Sequence, residues 1–304
     1  MDKIKIGVIG VGYLGMQHAR ILSYLEEAEL KCVADIDINR AMQIGNRHGV
    51  KYYKNYEDML DEIDAGIVAT PTSDHFKIAM KLLKEGKPVL VEKPVTETIE
   101  QAEKLVEEAE KKGAILQVGH LERFNPAVEV IENMISEPRF VEVQRLGSFS
   151  ARSLDIDVVL DLMIHDLDII LALIKDEVTV IRSSGIHVLS DKIDIANARL
   201  EFESGCVATL TASRVHQGKV RKLRIFEPTS YYSIDYIDQE VKVFPLNGSQ
   251  ADIKTVKIKK EEPLKKELQN FCRCIKDGKK RKVSGREALR ALKLAYRVLN
   301  EAEI

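Results

Sequence analysis

The sequence has no tryptophan, only four cysteines among its 304 residues, and a formal net charge of −2 at pH 7. A chain so close to neutral argues against a dedicated nucleic-acid binder, because such proteins carry an excess of positive charge. Its lysine-rich runs at 254–260 and 276–282 are therefore interpreted as solvated surface. No apolar run approaches the length of about 20 residues that a membrane span needs, and the first residues already form a core strand. We expect no signal peptide, no membrane partner and a cytoplasmic location.

The cysteines also lack the spacing of a metal site. The close pair, Cys272 and Cys274, is predicted to lie on a helix, where residues two apart point about 200° away from each other. Cys32 and Cys206 lie on predicted strands and are far apart in the sequence. We therefore predict reduced cysteines and no metal site.

A glycine-rich turn organises the first part of the chain. Residues 4–11 form a short β-branched pattern suited to a buried strand, and the spacing G-x-G-x-x-G follows at Gly10, Gly12 and Gly15. In a strand-to-helix turn of this type, the first glycine permits the tight turn and the second lets the backbone approach a pyrophosphate. The third allows the helix to pack closely on the strand. The motif alone could be an ordinary glycine turn, so its context decides.

The context is an acid at the end of the next predicted strand. Asp35 lies about 20 positions after Gly15, where a carboxylate accepts hydrogen bonds from the adenosine ribose hydroxyls. Such a carboxylate repels the 2′-phosphate of NADP, which favours NAD as the cofactor. Because Arg40 follows slightly downstream, the preference for NAD over NADP is less strongly indicated than the binding of a dinucleotide itself.

The order of predicted elements divides the chain into two domains and a last helix. Strands and helices alternate over residues 1–120, which indicates right-handed βαβ units and an α/β fold, an N-terminal NAD-binding Rossmann domain with a doubly wound parallel sheet. Strands then follow one another directly, so residues 121–285 are predicted to form a substrate-binding α+β domain with a large open, mostly antiparallel sheet. The helix at 286–304 is expected to pack back on the Rossmann domain. Another subunit can cover an open sheet face, so we expect a homodimer or homotetramer.

The predicted helix at 158–170 is apolar nearly all round and should be buried, yet it carries charged residues. At about 100° per residue, Asp161, His165 and Asp168 fall within a sector of ~60°. Charges on a buried helix are costly unless they are paired or functional. Asp161 could fix the tautomer of His165 and stabilise its imidazolium when the ring takes a proton. The alternative is a structural Asp–His pair that satisfies only itself.

Two loops should face the cofactor, because ligands of a parallel sheet bind beyond the carboxyl ends of its strands. Lys93 follows one predicted strand and could stabilise a substrate alkoxide; alternatively it is a surface lysine in a turn. In the other loop, Thr70 and Pro71 could line the nicotinamide. One of residues 73–74, a serine and an aspartate, is expected to cap the next helix, and the pattern indicates a structural His75.

These motifs, in this order and spacing, resemble the glucose–fructose oxidoreductase / inositol dehydrogenase / MocA (Gfo/Idh/MocA) family over essentially the whole chain. The segments that carry the resemblance are G10-V-G-Y-L-G15, Asp35, T70-P-T-S-D-H75, E92-K-P94 and D161-L-M-I-H165. The resemblance implies an NAD-dependent dehydrogenase with Lys93, Asp161 and His165 as catalytic residues, often with a cis bond between Lys93 and Pro94. It also implies a set of cofactor-binding residues: Gly10, Gly12, Tyr13, Leu14, Gly15, Asp35, Arg40, Thr70, Pro71, Thr72, His75, Glu92 and Lys93.

Further segments resemble one branch of that family, the UDP-N-acetylglucosamine 3-dehydrogenases that supply the diamino-sugar variant of lipid A. They are G119-H-L-E-R-F-N-P-A127, R145-L-G-S-F-S-A-R152, 158–168 and D194-I-A-N-A-R-L200. This resemblance implies substrate-binding residues: Lys93, His120, Arg123, Asn125, Arg152, Asp161 and His165. Arginine forks suit diphosphate oxygens, although Arg123, Asn125 and Arg152 could equally be ordinary ion-pair partners at the surface.

The sequence therefore predicts an NAD-dependent sugar dehydrogenase that transfers hydride from a ring carbon to nicotinamide, with a UDP-linked sugar as its small-molecule partner. Two alternatives stay open. One is a cyclitol or free-sugar dehydrogenase of the same family, and the other is a non-catalytic regulator that senses a dinucleotide. The complete set of Lys93, Asp161 and His165 favours an enzyme.

Overall fold

The computed structural model describes residues 3–149, 156–246, 253–278 and 282–302. The chain divides into two compact units. The first comprises residues 1–121 and 262–289, and the second comprises residues 122–261 and 290–304. Within the described residues, the search for a helix both long enough and apolar enough to cross a bilayer finds none.

The first unit is built on a parallel sheet that, in the described part of the chain, has six strands in the order β3-β2-β1-β4-β5-β6. The strands are β1 (Ile4–Ile9), β2 (Ala28–Ala34), β3 (Lys51–Tyr53), β4 (Ala65–Val68), β5 (Val89–Glu92) and β6 (Leu116–Gly119). Every residue of β4 and β5 is buried, as expected of strands covered on both faces. Because the strand order reverses between β1 and β4, the carboxyl ends of these two strands border the crevice where such sheets bind ligands.

Four helices connect the strands of the first unit: α1 (Tyr13–Leu22), α2 (Ile38–His48), α3 (Thr72–Lys84) and α4 (Ile99–Lys112). Their ends follow local sequence signals. The Asp37 carboxylate accepts hydrogen bonds from the first turn of α2, and Gly113 ends α4 at φ +60°. Helix α3 starts at Thr72, so residues 73–74 lie inside its first turn, and the prediction that one of them caps it is wrong.

The second unit contains a mostly antiparallel sheet with, among the described residues, eight strands in the order β14-β13-β12-β11-β7-β10-β9-β8. The strands are β7 (Phe140–Leu146), β8 (Val178–Ile186), β9 (Ile195–Phe202), β10 (Val207–Ser213), β11 (Val220–Phe226), β12 (Ser230–Asp235), β13 (Glu240–Pro245) and β14 (Lys254–Thr255). Strand β7 pairs with β10 in parallel and with β11 in antiparallel fashion. Two helices accompany the sheet, α5 (Pro126–Glu132) and α6 (Ile164–Leu173). The predicted fold class is therefore confirmed for both units.

The last two helices, α7 (Pro263–Asp277) and α8 (Gly285–Ala302), correct the predicted domain boundaries. Helix α7 belongs to the first unit, although the prediction placed residues 121–285 in the second. Its apolar stripe, from Leu264 to Cys272, completes the core around β1 and α1. Conversely, α8 from Arg290 onward is assigned to the second unit, where Ser183 Oγ of β8 donates to the Val298 carbonyl at 2.6 Å.

Candidate active site

The glycine turn between β1 and α1 has the geometry that its spacing predicts. Gly10 adopts φ +81°, a conformation that only glycine enters at low cost. A Cβ at Gly15 would lie 1.9 Å from the Gly10 carbonyl oxygen, whereas a Cβ at Gly12 would meet no protein atom within 4 Å. Protein packing therefore explains the glycine at 15. The open space beside Gly12 suits a ligand that approaches the backbone at the start of a helix.

The carboxylate of Asp35 is fixed by backbone groups on two sides. Its Oδ2 accepts from the Val11 N–H and its Oδ1 from the Asp37 N–H, both at 2.9 Å. The half-exposed guanidinium of Arg40 lies 3.4 Å from the same Oδ2. A carboxylate can accept about four hydrogen bonds, so this anchored group retains capacity for ribose hydroxyls. The predicted contact of Asp35 with the cofactor stays a prediction.

The loop after β4 contains a buried hydroxyl that finds no protein partner. Within the described residues, Thr70 Oγ1 is buried and makes no hydrogen bond, which is costly unless a ligand supplies a partner. The loop abuts the glycine turn, since a Cβ at Gly10 would come within 2.8 Å of Thr70 Cγ2. Three features now lie at the carboxyl ends of neighbouring strands: the open space at Gly12, the anchored carboxylate of Asp35 and the Thr70 hydroxyl. This arrangement fits a dinucleotide.

His75 holds this loop to the next one. Its Nδ1 lies 2.9 Å from the Pro94 carbonyl oxygen and its Nε2 lies 2.9 Å from the Thr70 carbonyl oxygen. Burial lowers the pKa of His75 more than these carbonyls raise it, and a neutral ring donates to only one of them at a time. Both nitrogens are therefore engaged inside the protein. These contacts agree with the structural role that its pattern indicates, and a contact of His75 with the cofactor stays a prediction.

The segment after β5 contains Lys93, which is half-buried, and a cis bond between Lys93 and Pro94 as the family resemblance implies. The neighbouring Glu92 is buried and makes two hydrogen bonds within the first unit. Its Oε1 accepts from His18 Nε2 at 2.8 Å inside the first unit, and its Oε2 accepts from the Lys93 N–H at 3.3 Å. Both carboxylate oxygens of Glu92 thus have partners inside the protein, and its predicted contact with the cofactor stays a prediction.

In the second unit, the segment that carries Asp161 is not a regular α-helix. Val159–Met163 forms a π-helical turn, and α6 continues from it with His165 in its first turn. The predicted sector of ~60° assumed about 100° per residue throughout, which a π turn with its i→i+5 hydrogen bonds does not follow. That geometric argument is therefore wrong in detail. Such turns in helices occur frequently at functional sites, and both Asp161 and His165 are only half-buried.

The other acids of this helix are paired with buried arginines. Asp166 binds Arg145 through two hydrogen bonds of 2.7 and 2.8 Å, and Arg145 also binds Glu122 at 3.0 Å. Burial raises the pKa of Asp166, and the charge of Arg145 opposes this shift without cancelling it. Asp168 lies 3.6 Å from the Arg123 guanidinium. These pairs offset the cost of placing charge on an apolar helix.

Two of the predicted substrate-binding residues of the second unit, Arg123 and Asn125, are buried. Arg123 is buried between Asp168 and Glu132. Asn125 caps α5, accepting from the Ala127 N–H, and its amide donates to the Tyr236 carbonyl at 2.9 Å. Arg123 and Asn125 thus contact partners within the protein, and these contacts are buried rather than at the surface.

The remaining candidates are placed as follows. His120 lies buried just after β6 in the first unit, and Arg152 lies outside the described residues. Lys93 belongs to the first unit, whereas Asp161 and His165 belong to the second. That these three groups serve one substrate stays a prediction.

Sequence reasoning missed one buried acid. Glu267 interrupts the apolar stripe of α7 and is fully buried together with Glu92 and His18. The signal was present, because a glutamate between Leu264 and Leu268 on a buried face is unusual unless it has a partner.

Two family matches cover most of the chain. Residues 4–120 match the family described as "Oxidoreductase family, NAD-binding Rossmann fold", and residues 131–227 match the "GFO/IDH/MocA C-terminal domain". These matches confirm that the first unit is an NAD-binding Rossmann domain.

Individual relatives are similar over nearly their full length. UDP-N-acetylglucosamine 3-dehydrogenase from Acidithiobacillus ferrooxidans is 35% identical, with 99% of both chains covered. scyllo-Inositol 2-dehydrogenase (NAD(+)) from Bacillus subtilis is 29% identical over 91% of this chain and 87% of its own. The solved structure of the Acidithiobacillus enzyme superposes with a TM-score of 0.94 at 33% identity, covering 100% of this chain and 99% of that one. An oxidoreductase from Agrobacterium radiobacter, with a TM-score of 0.89 at 18% identity, covers 99% of this chain and 96% of its own and shares the fold.

Proposed function

Because the chain belongs to the Gfo/Idh/MocA family of NAD-binding oxidoreductases, we propose that it oxidises the 3-hydroxyl of UDP-N-acetylglucosamine to the 3-keto sugar. The observation that carries this proposal is the full-length similarity, in sequence and in fold, to an enzyme named for that reaction. The coarser statement, a dehydrogenase of sugar or cyclitol hydroxyls, follows from the family itself. The proposal concerns which hydroxyl and which sugar.

In the proposed mechanism, an imidazole nitrogen of His165 takes the proton of the sugar hydroxyl. A positioned base of this kind contributes ~10²–10⁴ in rate. Asp161 orients the ring and stabilises the imidazolium, and the Lys93 ammonium stabilises the oxygen while negative charge develops on it. Bound NAD supplies the hydride acceptor. The π turn at 159–163 supports this assignment, since such turns are frequent at functional sites, and the buried Arg145–Asp166 pair anchors the residue next to His165.

Two alternatives remain distinguishable by experiment. A cyclitol or free-sugar dehydrogenase is supported by the similarity to an inositol dehydrogenase over 91% of the chain. A non-catalytic regulator would bind NAD without turning over any substrate. The unpartnered Thr70 hydroxyl and the open space at Gly12 accommodate a dinucleotide under all three hypotheses, so substrate turnover must decide between them.

The test uses purified protein with NAD and a panel of UDP-sugars, free N-acetylglucosamine and inositols, followed by NADH absorbance. We expect turnover with UDP-N-acetylglucosamine and loss of most activity when the UDP group is removed. Equal or better turnover with inositol would replace the substrate assignment, and NAD binding without turnover on any compound would support the regulator. Identification of the keto product by mass spectrometry and NMR assigns the oxidised carbon.

The wider context belongs to the same proposal. A cytoplasmic homodimer or homotetramer whose product feeds the diamino-sugar variant of lipid A would agree with the family branch that the sequence resembles. The exposed face of the second unit's sheet supports an oligomer, because a large half-covered sheet is a common subunit interface. Light scattering behind size-exclusion chromatography tests it, and a clean monomer would contradict it.

A further inference from the structure

The first unit contains a buried acid that the proposed mechanism does not use. Glu267 lies on α7 with no exposed surface, and it neighbours Glu92 at the end of β5 and His18 of α1. One nitrogen or carboxylate oxygen from each of the three side chains lies within 4.8 Å of the other two. Three separate elements therefore place two carboxyl groups and one imidazole together in the protein interior.

Glu267 has no hydrogen-bond partner for its side chain among the described residues, at either Oε1 or Oε2. Its backbone is anchored, since Gln117 Nε2 of β6 donates to the Glu267 carbonyl oxygen at 3.4 Å. An ionised carboxylate in such a place would be buried without compensation, and proteins avoid this by neutralising the group. The position therefore calls for a proton or a positive charge.

The imidazole nearby is already hydrogen-bonded to Glu92. His18 Nε2 donates to Glu92 Oε1 at 2.8 Å, and both residues are buried. Burial alone would raise the pKa of Glu92, but the hydrogen bond and charge of His18 reverse this shift and lower it. Glu92 is thus the ionised member of the cluster. Lys93 and His75 act in the same direction on Glu92.

A second negative charge beside Glu92 is strongly disfavoured. Burial, followed by the negative charge of Glu92, raises the pKa of Glu267 well above its ordinary value. In the part of the chain that the structure describes, Glu92 and His18 are the titratable groups clustered with Glu267, and Gln117, which bonds its backbone carbonyl, does not titrate. A protonated Glu267 can turn its O–H towards the Glu92 carboxylate, because hydroxyl donors rotate to suit an acceptor.

Glu92 connects this cluster to Lys93. The second oxygen of Glu92, Oε2, accepts from the Lys93 N–H at 3.3 Å. Room for the carboxylate is provided by Gly119 of β6, where a Cβ would lie 2.8 Å from the same Oε2. The Glu92 carboxylate is therefore bonded to the backbone of Lys93 on one side and to His18 on the other.

We propose that Glu267 is a protonated, buried positioning residue that holds the Glu92 carboxylate and, through its bond to the Lys93 backbone, sets the position of the Lys93 ammonium. The second half of this statement rests on the proposed function, because it assumes that Lys93 contacts the substrate. The first half, the protonated state, does not depend on any activity. The two halves can therefore be tested separately.

The protonated state is tested in the full-length protein with Glu267→Gln, which keeps the shape and neutrality of the acid, and with Glu107→Gln on the exposed face of α4 as the matched control. Infrared difference spectra should show the carbonyl stretch of a protonated carboxyl group in the parent protein that Glu267→Gln removes and Glu107→Gln retains. Absence of this band, or stoichiometric bound metal in the purified parent that Glu267→Gln removes, would overturn the proposal.

Thermal unfolding gives a second measure of the same state. Because the folded protein binds the Glu267 proton more tightly than the unfolded chain does, this proton stabilises the parent at low pH. This stabilisation declines as the pH rises from about 4.3, the pKa of a glutamate in the unfolded chain, through the raised pKa of Glu267 in the folded state. Glu267→Gln does not titrate there, so its Tm relative to the parent should increase by roughly 2–4 °C or more between acidic and alkaline pH. A pH-independent difference contradicts the proposal.

The positioning role is tested by kinetics with NAD and the best substrate of the panel. We expect Glu267→Ala to lower kcat by roughly 10-fold to 100-fold with little change in the KM for NAD, and Glu267→Gln to restore most of the loss. If Glu267→Gln is as slow as Glu267→Ala, the positioning role is wrong. If the parent turns over no substrate, the proposed function fails, whereas the infrared and unfolding results still decide the protonated state.

Discussion

Asp35 Oδ2 accepts a hydrogen bond from the Val11 N–H at 2.9 Å, so the acid after β2 is tied directly to the glycine turn after β1. Strands β1 and β2 are neighbours in the sheet, and this bond fixes the distance between their two loops. One carboxylate therefore shapes the turn that would hold the pyrophosphate and also presents its charge at the position expected for the ribose. Changes at Asp35 should affect both.

The first prediction concerns cofactor choice. Asp35→Asn removes the negative charge that repels a 2′-phosphate and releases Arg40 to bind it. Since a hydrogen bond to a charged group contributes about 1.5–3 kcal/mol, we expect the ratio of kcat/KM for NAD over NADP to fall by ~10-fold or more. Asp37→Asn is the control, because asparagine caps a helix as well as aspartate does. An unchanged ratio in Asp35→Asn would show that the carboxylate does not select NAD.

The second prediction separates the roles of two glycines. Gly15→Ala places a Cβ 1.9 Å from the Gly10 carbonyl oxygen, so it should lower both the Tm and the affinity for NAD. Gly12→Ala meets no protein atom within 4 Å and should leave the Tm almost unchanged while weakening NAD binding by ~10-fold or more, because the methyl group occupies the space of the pyrophosphate. Thermal unfolding and calorimetric titration with NAD measure the two effects. Full NAD affinity in Gly12→Ala would contradict the placement of the dinucleotide.

The third prediction concerns the proposed base. His165→Ala should lower kcat by ~10²–10⁴, with a smaller effect on the KM for NAD, because the imidazole is expected to contact the sugar rather than the cofactor. His187→Ala, an exposed histidine after β8 in the same unit, should behave as the parent does. Steady-state kinetics over a range of pH make the comparison. Parent-like turnover by His165→Ala would exclude this residue as the base.

The fourth prediction concerns the buried ion pair behind that base. Asp166→Asn leaves the Arg145 guanidinium buried with Glu122 as its one remaining carboxylate in the described chain. Removing one partner of such a pair costs about 3–5 kcal/mol, which urea unfolding should register as a lower midpoint. Glu142→Gln breaks the more exposed pair with Arg224 and should cost no more than ~1 kcal/mol. An equal loss of unfolding free energy in both variants would mean that the buried pair stabilises the fold no more than the exposed pair does.

Much of the first unit could be predicted from the sequence because its signals are local. The turn at Gly10, the αL residue Gly113 at the end of α4 and the apolar run of β5 each depend on residues within one or two turns of the chain. Such signals specify backbone conformation and burial directly. They are also the residues that match the family.

The errors arose where a partner distant in sequence decides the outcome. The stripe on α7 predicts burial but does not indicate which unit receives it. Periodicity does not distinguish the π turn at 159–163 from an α-helix, because a single such turn changes the spacing of the apolar residues over only a few positions. Likewise, the sequence around Glu92 does not indicate that His18, 74 positions earlier, bonds its carboxylate.

The parallel pairing of β7 with β10 has a consequence for assembly. Parallel neighbours cannot be joined by a tight turn, so residues 147–206, which include the π turn and α6, form the connection between them. Forming the middle of this sheet therefore closes a long loop whose entropy cost is offset only when the segment carrying His165 is itself folded. We expect hydrogen exchange to show α6 and the β7–β10 ladder opening together as a single cooperative unit.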